Sequence, residues 1–160
     1  MKLSVKSKKL LLTFHLLFAA IMFGNMIAFL IFSITASAGN HQTANACFHA
    51  MTILAKTSVR ASTIGTTITG IILSVGTKWG LFRYYWILAK EGLTLLVIAI
   101  NLWGMQVWTL QAFTLSTENQ SVDVINQAYL WTGICLQIFS LAVMYAISVY
   151  KPWGRRIRAA

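Results

Sequence analysis

Acidic side chains are nearly absent from this 160-residue chain: Glu91, Glu118 and Asp123 are all it carries, against 13 Lys and Arg. Two of the three fall in one polar stretch, so paired-carboxylate catalysis has no material. Charged residues of either sign make up only 10% of the chain. A soluble domain carries about 25%, and so little polar surface cannot cover a water-soluble globule of this size. The two cysteines, Cys47 and Cys135, form no CxxC and no metal-ligand spacing; both read as packing residues, not as a disulfide. Proline occurs once, at Pro152, where the last helix must stop. There is no HExxH, no nucleophile elbow and no phosphate loop, so no catalytic residue is assigned. No strand pattern, second domain or low-complexity segment is present.

What the chain does have is apolar length, with hydrophobic residues at 58%. Apart from Lys56, Arg60 and Lys90, its basic residues fall into three groups: Lys2, Lys6, Lys8 and Lys9; Lys78 and Arg83; Lys151, Arg155, Arg156 and Arg158. Apolar stretches separate the groups. Basic residues stay on the side from which a membrane was entered, so the pattern predicts a multi-pass plasma-membrane protein with both termini cytoplasmic. The net charge of +10 is then a set of cytoplasmic flanks facing anionic lipid. Nucleic acid is excluded as a partner, because no basic stripe or recognition motif accompanies the charge.

Residues 36–38 (Ala-Ser-Ala) imitate a signal-peptide cleavage site. The apolar run over 10–34 is longer than a signal h-region of roughly 7–15 residues and long enough to cross a hydrocarbon core of roughly 30 Å. It reads as a retained first helix. The expected elements are helices over about 8–36, 45–76, 84–112 and 127–151, joined by an outer loop at 38–46, an inner turn at 76–80 and an outer loop at 114–126. Irregular backbone cannot face lipid. The fold class is therefore all-α, a single integral membrane domain forming an up-down-up-down four-helix bundle, N-in and C-in.

Ionisable groups at membrane depth normally face a bundle interior or a watered cavity. His15 lies about 9 Å past Lys9, and Lys90 about 8 Å past Tyr85, at about 1.5 Å per residue. Glu91 follows Lys90 but points about 100° away. His15, Lys90 and Glu91 thus share a level, with Tyr145 of the fourth helix nearby. Three readings stay open: a His15–Glu91 hydrogen bond fixing helix 1 against helix 3, His15 as an axial ligand to haem iron, and a proton relay through His15 and Glu91. On helix 3, Lys90, Thr94, Asn101 and Trp108 share a face. On helix 2, His49, Lys56, Thr63 and Gly70 recur every seven residues beside Arg60, Thr67 and Ser74, which reads as one continuous polar face. Lys56 and Arg60 on it either snorkel to outer headgroups or form an inward site for an anionic group. His41 and His49 read as solvated.

The segment KKLLLTFHLLFAAIMFG resembles the first helix of small four-helix bacterial membrane proteins, and YYWILAKEGLTLLVI resembles their third. Such patterns occur in copper-resistance D membrane domains and in haem-linked four-helix protoporphyrinogen oxidases. The oxidase-type Trp-Met-x-Gly step stands here as Ile21-Met22-Phe23-Gly24, and no Pro-Arg pair follows in helix 1. The resemblance implies His15 as the haem or metal ligand and Lys90 as a functional membrane lysine. The leading expectation is a b-type haem or porphyrin inside the bundle, with His15 as ligand and Lys90, or Lys56 and Arg60, facing propionates. The alternatives are a non-catalytic scaffold or partner subunit of a larger membrane complex, and a small transporter, which would need a homodimer.

Overall fold

The computed structural model describes residues 4–77, 82, 84–118 and 124–153. Lys2, the inner-turn residues Lys78, Trp79 and Gly80, Arg83, Asp123 and the tail arginines lie outside that set. Four helices make up the described chain: α1 Val5–Ala38, α2 His41–Gly76, α3 Tyr85–Thr117 and α4 Val124–Tyr150. All four are long and apolar enough to cross a membrane. No strand occurs among the described residues.

The helices run longer than expected, and the first loop nearly vanishes. Between α1 and α2 only Gly39 and Asn40 remain. Asn40 closes the gap: its Oδ1 accepts from the Thr43 backbone N–H and from the Thr43 hydroxyl, both at 2.9 Å. An N-cap of this kind satisfies the orphan donors of a first turn, so α2 starts well before residue 45. Ser4 caps α1 in the same way, accepting from Ser7 N–H at 3.1 Å. At the other extreme α4 stops at Tyr150, and Lys151 takes a left-handed φ of 45° immediately before Pro152.

The outside is greasy and the inside is mixed, as lipid requires. Leu95, Phe139 and Trp103 are among the most exposed large side chains. Inside, Met22, Met26, Phe29, Met51, Val59, Met105 and Ile134 form the main apolar cluster. Burial of oil gains little when the solvent is also oil, so close packing at small residues holds such helices together. Gly65 of α2 is one contact point: a Cβ there would sit 2.8 Å from the Phe18 ring of α1. Gly133 of α4 is another, with Trp108 of α3 at 2.7 Å from where its Cβ would be.

The bundle is not uniform along its length. The first half of α2 packs on the second half of α3 at the hairpin end, where the 39–40 turn lies. Toward the termini, α2 stays with α1 and α3 stays with α4, while α2 and α3 scarcely touch each other. The termini half is thus two helix pairs side by side.

Candidate functional site

Both α2 and α3 contain a short π-helical segment, at Ala55–Val59 and Ile100–Met105, and the two segments pack against each other. A π turn carries an extra residue and is enriched at functional sites. Its effect on α2 is direct. One inserted residue rotates the downstream turns by about 100°, so the seven-residue polar row breaks there. Lys56 and Arg60 are exposed on the outer surface, whereas Thr63 is buried. The expected continuous polar face does not exist, and the inward basic site for Lys56 and Arg60 is corrected to an outward position. Their level, about 24–30 Å from Gly76 by helix rise, lies close to that of Trp103, about 27 Å from Tyr85. Basic and aromatic side chains of this kind anchor a membrane interface.

His15 faces α2. Its Nδ1 lies 2.9 Å from Thr69 Oγ1, and its ring packs so closely that a Cβ on Gly70 would meet Cε1 at 3.2 Å. The Thr69 hydroxyl has one proton, with the Gly65 carbonyl at 2.6 Å and the Thr66 carbonyl at 3.1 Å as acceptors. When that proton goes to a carbonyl, Thr69 Oγ1 accepts from Nδ1 of His15, and the imidazole hydrogen sits on Nδ1. A neutral imidazole protonated at Nδ1 leaves Nε2 with its lone pair. That nitrogen is the one able to bind a metal centre or take a proton.

Lys90 faces α4 and donates to Ser148 Oγ at 2.8 Å. Glu91 has turned from His15 and Lys90: its Oε1 is buried without a hydrogen-bond partner among the described residues. The expected His15–Glu91 tie between helix 1 and helix 3 is therefore replaced by His15–Thr69 between α1 and α2. The reason is packing. α1 follows the second half of α2 closely there, and the step at Gly70 gives the imidazole room. Tyr145 comes close to α1 by another route, edge-on to Phe23 with ring centroids 6.1 Å apart.

Three residues of the expected helix 3 face lie against α4, and Asn101 departs from them. Lys90 meets Ser148, Thr94 meets Met144 Sδ at 3.5 Å, and Trp108 stacks on Tyr129 at 5.8 Å. Asn101, in the π segment, reaches across to α2 and donates to Thr63 Oγ1 at 2.9 Å. The helix 2 threonines mostly serve backbone: Thr63 donates to the Val59 carbonyl and Thr67 to the Thr63 carbonyl. Membrane-helix Ser and Thr often do this, and it leaves few hydroxyls for a solute route.

The histidines of the hairpin end sit apart from this group. His49 is exposed and stacks on Phe113 at 4.9 Å, and with His41 it lines an open cleft of about 520 Å³. Cys47 is buried, but Cys135 is exposed on the outer face of α4, so only the first cysteine packs the interior. Both thiols are free.

Among the described residues no group of three or more His, Cys, Asp or Glu side chains could hold a metal ion. A metal bound through His15 would have to bring further donors with it. No protein-family model, no curated protein and no solved structure matches the chain. Sequence reasoning missed Thr69, Ser148 and Gln137. Thr69 alone left a trace, lying one position from Gly70 on the face that reads as polar.

Proposed function

We propose that this multi-pass protein resides in the plasma membrane with both termini cytoplasmic, and binds a b-type haem or related porphyrin in the termini half of its bundle. The observation that carries the reading is the contact of His15 Nδ1 with Thr69 Oγ1 at 2.9 Å. With Thr69 accepting from Nδ1, Nε2 would be the donor atom toward a metal centre. Metal-bound histidines commonly donate their second ring nitrogen to a fixed partner of this kind. A porphyrin supplies four nitrogens of its own, so one protein imidazole suffices where a bare ion would need more. Lys90, which bonds Ser148 on α4, would face a propionate.

Purification from haem-replete cells tests this. The expected result is a Soret band that His15→Ala abolishes and Thr69→Val weakens or shifts, the valine removing the acceptor that sets the tautomer. Protein without a Soret band, before and after haem reconstitution, rejects the reading and leaves a partner-subunit role in its place. Reporter fusions at each end test the orientation, with cytoplasmic signals expected from both.

A further inference from the structure

Gln137 on α4 is wholly buried, yet neither its amide nitrogen nor its amide oxygen has a hydrogen-bond partner among the described residues. Asn101 on α3 is also buried, and its Oδ1 is unpartnered too. The register of the two antiparallel helices shows where these atoms lie. Lys90 meets Ser148, Thr94 meets Met144, and Met105 Sδ lies 3.2 Å from where a Cβ on Gly133 would be. Each step along α3 is matched by an equal step back along α4. Seven residues past Thr94 is Asn101, and seven before Met144 is Gln137. The two amides therefore lie at the same step of the α3–α4 seam.

The same level gathers the other two helices. Asn101 Nδ2 donates to Thr63 Oγ1 of α2 and approaches Met22 Sδ of α1 at 3.9 Å, and Thr63 Oγ1 lies 3.5 Å from that sulfur. One side chain from each helix thus contributes to a single polar layer, at the height where the two π segments pack together.

We propose that this layer binds an internal water molecule between Asn101 and Gln137. The unfilled positions are two carbonyl acceptors and one NH2 donor, all neutral. Water offers two hydrogens to the carbonyls and a lone pair to the amide, three bonds in all, which is typical for a buried water. An anion would meet two carbonyl oxygens with no cation beside them. A divalent cation would meet no carboxylate. The site is separate from His15 and does not depend on the porphyrin reading.

Gln137→Met tests it by removing the amide at nearly constant shape. If water bridges the layer, Asn101 Oδ1 loses its partner and the melting temperature falls, by about 2–4 °C for a chain of this size. If the amides are dry orphans, deleting one relieves an unpaired buried group and the melting temperature rises, which overturns the proposal. A second measurement needs no variant. In water-edited solid-state NMR of the wild-type protein in bilayers, the Gln137 side-chain amide, assigned through its own side-chain carbons, should receive magnetisation from water. No transfer to that amide also overturns the proposal.

Discussion

In the hairpin half of the bundle, Met26, Phe29, Met51 and Met105 are wholly shielded, and polar groups are spent locally: Thr52 donates to the Phe48 carbonyl and Thr109 to the Met105 carbonyl. In the termini half, an imidazole, an ammonium and a carboxylate are half-buried among two helix pairs that scarcely touch across the α2–α3 side. One half is packed for rigidity. The other accepts ionisable groups at membrane depth, which are costly and mark function. The polar layer of Met22, Thr63, Asn101 and Gln137 lies between them. A single sequence can thus divide its bundle into a scaffold and a site, with the π segments at the border.

Substitutions should separate the halves, and the largest effect belongs to the scaffold. Phe29→Ala empties a fully buried position and should cost about 3–5 kcal/mol, read as loss of the thermal transition or of monodisperse protein in detergent. Gly133→Val drives a branched side chain into Trp108 and Met105 and should cost about 1–3 kcal/mol by overpacking. An unchanged melting temperature in either variant would mean that the hairpin half is looser than its packing shows. Asn101→Ala removes the bond to Thr63 and should cost about 1–2 kcal/mol, with a melting curve as the check.

The termini half should respond in the opposite sense. Lys90→Met removes a half-buried ammonium whose partner among the described residues is the Ser148 hydroxyl, so stability should hold or rise while affinity for the proposed haem falls; titration of the reconstituted protein reads the second effect. If Lys90→Met unfolds the protein, the site and scaffold halves are not separable. Least affected should be Lys56→Ala and Arg60→Ala, within about 0.5 kcal/mol as surface changes away from packed features.

Much of the fold is legible in the sequence, since hydropathy and length report directly on whether a segment can cross lipid. The depth of His15, Lys90 and Glu91 along their own helices is legible too, because helix rise converts residue number into depth. Partners are not. The sequence offers Glu91 as one partner for His15 and the fold gives it Thr69, because two groups at one depth can still lie on opposite sides of a bundle. The polar row of α2 reads as continuous from Lys56 to Thr63 and is broken between them, because nothing in the segment AKTSV announces a π turn. The stretch 38–46 reads as irregular from its Gly, Asn and Thr content, and Asn40 instead serves as a cap for a helix that begins at His41.

Four apolar spans, basic flanks and a few buried ionisable residues arise from the order of side chains alone. In lipid the backbone must pair within each segment, so every span becomes a helix whatever surrounds it. Which polar atom meets which was decided only when the helices packed. The step at Gly70 turned His15 to Thr69, the π turn sent Lys56 and Arg60 outward, and the antiparallel seam set Asn101 level with Gln137. Those choices depend on register and rotation between helices, which arise from contacts far apart in the chain and leave no local signature.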